Sequence, residues 1–141
     1  MKRLLSLAQK GASLELRVGT SRDGVVVTYR VRVLPDQIHV HARVEGVSEV
    51  ERIGESFALA SAGHWYGGEV TAAHQWPLET AEWNADPFLA TSNHATPFWM
   101  ASSGVGILLN THDDIAACIN KDGDGLFRFA YMRSPEMHYT I

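Results

Sequence analysis

The sequence predicts an all-β chain folded as an antiparallel β-sandwich, and three observations carry that expectation. Apolar and polar residues alternate with period two through the first third of the chain, the mark of half-buried strands. Turn-forming pairs separate those runs. No stretch sustains a helical period, while short β-rich runs continue to Ile141. Roughly eight to ten strands without a helix require two packed sheets or a barrel.

Taken in order, Leu14, Leu16 and Val18 point one way, with Glu15 and Arg17 the other. Val25, Val27, Tyr29, Val31 and Val33 form a second apolar face, backed by Thr28, Arg30 and Arg32. Ile38, Val40, Ala42 and Val44 then alternate with His39, His41, Arg43 and Glu45. Asp23-Gly24 and Pro35-Asp36 supply the turns between them, so these runs read as an antiparallel meander with one wet face. Ser56 to Ala62 reads as a further strand. From Pro77 to Thr96 the breaks at Trp83-Asn84, Asp86-Pro87 and Thr96-Pro97 suggest a long irregular loop, a feature that is often functional. Order returns in five short strands: Phe98 to Ser102, Gly104 to Asn110, Ile115 to Asn120, Leu126 to Met132 and Met137 to Ile141. Phe127, Phe129 and Tyr131 share the buried face of the fourth.

Composition bounds the function. At 141 residues, with 45% hydrophobic and 20% charged, residues 1–141 make one ordinary globular domain. A net charge of −4 argues against nucleic acid as a partner and gives no electrostatic attraction to an anionic membrane. Cys118 is the single cysteine, so no intrachain disulfide forms. The basic start Met1-Lys2-Arg3 precedes an apolar run too short for a signal peptide, and the expectation is a soluble, cytoplasmic domain.

The chain is organised around Gly63-His64-Trp65-Tyr66-Gly67-Gly68-Glu69, continuing to His74-Gln75-Trp76-Pro77-Leu78-Glu79. Residues 63 to 76 hold two Trp, one Tyr, two His and three Gly, a mixture that neither a strand nor a helix favours. Such a loop either caps the sandwich with its rings or presents them to a ligand. Three other patterns carry weaker chemistry. Asn120-Lys121-Asp122-Gly123-Asp124-Gly125 copies the opening of a calcium loop, but Tyr131 stands where a bidentate Glu belongs, so a strand-joining turn is expected. His39-x-His41 followed by Glu45 is plausible metal geometry and echoes a cupin motif, but the rest of that motif is missing, so it reads as a solvated face. Glu69, Glu79, Glu82 and Asp86 are the loop's acid/base candidates, with no spacing that makes them a catalytic pair. No cofactor and no metal are implied.

The run from Gly63 to Glu69 with Gln75-Trp76-Pro77-Leu78-Glu79 resembles the N-terminal domain of glycoside hydrolase family 31, nearest the branch of the myogenesis-regulating glycosidase. Pro97-Phe98-Trp99-Met100-Ala101-Ser102-Ser103-Gly104-Val105-Gly106-Ile107-Leu108-Leu109-Asn110-Thr111 is similar to the family's strand pair joined at a Ser-Gly turn. The closing Ser134 to Ile141 is similar to the strand after which the family's catalytic barrel begins. The resemblance implies a galactose-mutarotase-like β-sandwich that precedes a (β/α)8 barrel. It also implies retaining hydrolysis of α-glycosides without metal, by two Asp residues that belong to the barrel. This domain then supplies a scaffold and one wall of a carbohydrate site, with no catalytic residue of its own. Trp65, Tyr66 and Trp76 are the expected sugar platforms, and His64, Glu69 and Gln75 the hydrogen-bonding candidates. An independent carbohydrate-binding module is the alternative, and an aldose mutarotase a third reading that the chain is too short to favour.

Three structural expectations follow. Trp65 and Tyr66 lie near the surface at one end of the sandwich, with Gly67-Gly68 as the turn; Thr80 to Thr96 is mobile; and uncovered aromatic surface favours self-association. Functionally, the purified chain is expected to leave aryl α-glycosides unhydrolysed above background, and turnover that tracks its concentration through purification contradicts that expectation.

Overall fold

Period-two alternation in the sequence becomes two stacked antiparallel sheets. The computed structural model describes residues 3–59, 63–68, 76–80, 83–88, 96–111 and 114–141, with 83–88 described by backbone alone. The strands are β1 Arg3–Lys10, β2 Ser13–Gly19, β3 Val26–Val33, β4 Ile38–Glu45, β5 Arg52–Ala58 and β6 Trp65–Gly68. They continue as β7 Trp83–Phe88, β8 Thr96–Ala101, β9 Gly106–Leu109, β10 Ile115–Ile119, β11 Leu126–Met132 and β12 Glu136–Thr140. Eight form one sheet in the order β1-β2-β3-β4-β12-β9-β8-β6, and four form the other in the order β5-β11-β10-β7. Among the described residues the helical pieces are single 3₁₀ turns at Leu78–Thr80 and Lys121–Gly123. The expected all-β sandwich is what the chain forms.

The meander and the five late strands fall where the alternation places them. Leu16, Tyr29 and Ala42 face one another across β2, β3 and β4, and Phe127, Phe129 and Tyr131 are buried on β11. Four strands depart from the sequence reading: β5 covers Arg52–Ala58 where a strand over Ser56 to Ala62 is expected, β6 forms within the stretch read as an aromatic loop, and β1 and β7 are additional. β1 arises in the opening segment, where Leu4 to Lys10 pairs along β2. β7 occupies Trp83–Phe88, within the stretch read as irregular, and pairs with β10 at the edge of the small sheet. Pro87 is compatible with a strand there because an edge strand does not use every N–H. The rest of the segment expected to be mobile, residues 81–82 and 89–95, lies outside the described residues.

A run of aromatic rings joins the two sheets. Trp65 on β6 and Trp99 on β8 pack against Phe127 on β11, with ring centroids 5.6 and 5.3 Å apart. Phe127 meets Phe129 at 5.9 Å, and Phe129 meets Tyr139 of β12 edge-on at 5.1 Å. Trp65 is only 5% exposed, which corrects the expectation that its ring lies near the surface. The reason is strand alternation: once β6 pairs with β8, Trp65 stands opposite Ala101 on the inward face. Gly67-Gly68 likewise ends a strand instead of making a turn. A Cβ on Gly67 would lie 2.3 Å from the carbonyl oxygen of Phe98, so only glycine permits β6 to approach β8 there. The register slips between Gly67 and Gly68, beside Pro97, which has no N–H to give the ladder.

The large sheet is wider than the small one, so its β1–β3 wing is only partly covered. Along one row of cross-strand partners, exposure rises from 0% at Ala42 through half-buried Tyr29 and Leu16 to 60% at Leu7. The packed core therefore lies under β4, β12, β9, β8 and β6. Trp65→Ala is expected to lower stability by about 3–5 kcal/mol, the range for a buried large aromatic, as much as Phe129→Ala. Denaturant melts of both variants check this, and a loss under about 1 kcal/mol for Trp65→Ala, as expected of an exposed position, would count against the packing described.

Candidate functional site

With Trp65 turned inward, its neighbours must turn outward. His64 is exposed, Tyr66 is half-buried, and Tyr66 pairs with Met100 on the outer face of the large sheet. Trp76 is 48% exposed and meets Tyr66 edge-on, the centroids 5.8 Å apart and the planes at 88°. The Trp76-Pro77 peptide bond is cis. Of the six expected sugar-contacting residues, the structure therefore brings His64, Tyr66 and Trp76 to one surface and sends Trp65 to the core. Glu69 and Gln75 lie outside the described residues.

Glu79, an acid/base candidate in the sequence, serves here as an anchor. Its Oε1 accepts a hydrogen bond from His64 Nδ1 at 2.7 Å, and its Oε2 accepts the Trp65 backbone N–H at 2.9 Å. Its own carbonyl accepts from Asn120 Nδ2 at 2.7 Å. One residue on the 3₁₀ turn thus ties the start of β6 to the β10–β11 turn. On the far side, Ser102 Oγ accepts the His64 N–H at 2.9 Å, and His64's carbonyl accepts the Ser102 N–H at 2.8 Å. Partial desolvation raises the Glu79 pKa, but the His64 and Trp65 hydrogen bonds outweigh it and hold the carboxyl below the usual carboxylate range. With Nδ1 committed to Glu79, the Nε2 edge of the exposed His64 ring is the one left facing outward.

Beside this group the outer face is apolar. Phe98 and Met100 on β8 and Leu108 on β9 are all exposed, and Phe98 lies opposite Leu108. The Phe98 ring also covers Gly106. The surface can therefore offer two rings, an imidazole and an apolar margin, but among the described residues no nucleophile–base pair stands in it.

The Asn120 to Gly125 loop forms the expected turn. Asn120 Oδ1 accepts the Gly125 N–H at 2.9 Å, and Asp124 Oδ1 accepts the Leu126 N–H at 2.9 Å. Asp124 also pairs with Arg128. Desolvation raises the Asp124 pKa, and the Leu126 N–H and Arg128 together overcome it and lower the pKa overall. His39, His41 and Arg43 face outward from β4 as read, but Glu45 pairs with Arg17 at 3.5 Å instead of with the histidines. His41 instead meets Glu136 and His138 of β12, a grouping the sequence could not supply because it depends on which strand pairs with β4. Burial and His138 lower the His41 pKa against the opposing pull of Glu136.

The family model described as the myogenesis-regulating glycosidase N-terminal domain matches residues 6–140. The chain belongs to that family. The glycosidase N-terminal domain is also similar in structure to a GH31 dextranase from Flavobacterium johnsoniae, in one form complexed with isomaltotriose and in another with glucose. Each comparison gives 13% identity and a TM-score of 0.44, covering 96% of this chain but only 18% of the dextranase. No curated protein sequence matches it.

The Glu79 anchor yields a pH-dependent prediction. Glu79→Gln is expected to lose about 1–2 kcal/mol at neutral pH, since hydrogen bonds to a charged group contribute about 1.5–3 kcal/mol and the exposed imidazole is screened by solvent. Because the folded pKa is lowered, that contribution is complete above the ordinary Glu value of about 4.3 and disappears as pH falls through the folded value. Urea melts from neutral to acidic pH check it: the gap between wild type and Glu79→Gln closes toward acid, and a gap constant with pH would contradict the anchor role.

Proposed function

We propose that this glycosidase N-terminal domain acts as the non-catalytic β-sandwich of a retaining α-glycosidase, both as scaffold and as one wall of its sugar site. The observation that carries this reading is the edge-on pair of half-buried Tyr66 and exposed Trp76, set beside outward-facing His64. Sugar rings carry apolar C–H faces that lie against aromatic rings, and the outward Nε2 edge of His64 can hydrogen-bond a sugar hydroxyl. In this reading the Glu79 anchor keeps the imidazole in one orientation, so that the hydroxyl meets a fixed partner. The catalytic carboxylates come from a (β/α)8 barrel. Phe98, Met100 and Leu108 form the apolar margin that such a barrel covers, and in the barrel's absence the same surface favours self-association.

The substrate class follows the resemblance, an α-glycoside. Isomaltotriose titrated into the chain is expected to shift the emission of the exposed Trp76, with weak, millimolar affinity because one wall alone encloses little of the sugar. Trp76→Ala removes the response, and His64→Ala weakens binding by about 1 kcal/mol, the size of one hydrogen bond. An unchanged emission and unchanged amide spectra of residues 64–66 at saturating sugar would overturn the sugar-wall reading.

A further inference from the structure

The outer face of the large sheet carries a second cluster, which the sugar reading does not use. β4 and β12 run antiparallel with His41 opposite His138 and Arg43 opposite Glu136. The two imidazoles stack with centroids 4.1 Å apart and planes 12° apart. Both aim at one carboxylate oxygen: His41 Nε2 lies 3.4 Å and His138 Nε2 3.7 Å from Glu136 Oε2. Arg43 occupies the other oxygen, Oε1, at 3.4 Å. The three facing ligand atoms all lie within 4.8 Å of one another. His41 Nε2 is shielded from solvent and makes no hydrogen bond of good geometry; the group it faces is the Glu136 carboxylate.

Two charged imidazoles stacked at this distance, with Arg43 adjacent and Arg30 opposite His41, would repel one another. A metal ion held between the two Nε2 atoms and Glu136 Oε2 would give both rings a common partner. Four-coordinate zinc, with bonds of about 2.0–2.2 Å, places neighbouring ligand atoms about 3.3–3.5 Å apart. The two nitrogen–oxygen separations, 3.4 and 3.7 Å, lie at or close to that edge. A tilt of the near-parallel rings brings both lone pairs to one point, and His138, with 48% of its side chain exposed, has room to make it. Nitrogen ligands select against calcium and magnesium, which take oxygen. Arg30 does not compete for the carboxylate, because it pairs with Glu15 at 3.3 Å.

We propose that His41, His138 and Glu136 form a binding site for a divalent transition metal of the zinc class. The metal ties β12 to β4, and its fourth position opens toward an adjoining cleft of about 220 Å³ lined in part by His39, Asn110 and Arg32. The site is distinct from the His64–Trp76 surface and does not depend on it.

The test is a titration of zinc chloride into chain freed of metal with a chelator, followed by calorimetry and thermal melts. One zinc per chain and a melting temperature raised by several degrees are expected, with no response to calcium. Glu136→Gln and His138→Gln each weaken binding at least about tenfold, while Cys118→Ser leaves it unchanged. Imidazole ¹⁵N resonances of the unaltered protein give an independent reading: zinc shifts those of His41 and His138. Absence of zinc binding, binding that survives His138→Gln, or shifts confined to other histidines would overturn the proposal.

Discussion

The packing of Trp65 against Phe127 fixes which way the candidate surface faces. β6 is a short edge strand, and its inward ring is held in the aromatic run that links the two sheets. Because successive side chains on an extended chain alternate, burying Trp65 obliges His64 and Tyr66 to point outward. Trp76 then completes the surface by meeting Tyr66 edge-on. The aromatic block therefore does two tasks in alternate residues, core filling and presentation. The Glu79 carboxylate bonds to both kinds of neighbour, the backbone of the buried residue and the side chain of the exposed one.

This alternation explains what the sequence could and could not convey. The strands of the meander and of the C-terminal half were legible because their apolar period is long and their turns well marked. Trp65 was misplaced because four residues of strand are too few to show a period, and the adjacent glycines suggested a turn. Those glycines are required instead by the close approach of β6 to the Phe98 carbonyl, a long-range contact. β1 was overlooked because every residue of it is exposed, so it shows no buried stripe. Glu79 reads in the sequence only as a carboxylate, because its partners lie fifteen and fourteen residues away and meet it only on folding.

The histidines give the same lesson from another direction. His39-x-His41 and Glu136-x-His138 both have strand spacing, and each by itself marks only a solvated face. Sheet order makes β4 and β12 neighbours although more than ninety residues separate them, a connection no local pattern encodes. Glu45, the carboxylate nearest in sequence, is drawn instead to Arg17 on β2. Cross-strand register, and not proximity in sequence, sets which carboxylate His41 meets.

Sheet asymmetry sets where such surfaces can be tolerated. An eight-stranded layer opposed by four strands cannot cover its full inner face, and the uncovered part falls on β1 to β3. Local stability follows buried apolar contact, so that wing is the first region to open and the ring-packed strands the last. β6 lies at the opposite edge of the same sheet, with its ring under Phe127 and its backbone under Glu79. Tyr66 and His64 are thus held by the buried ring of Trp65 and by the Glu79 carboxylate. Their orientation is insulated from fraying at β1 by the paired strands between.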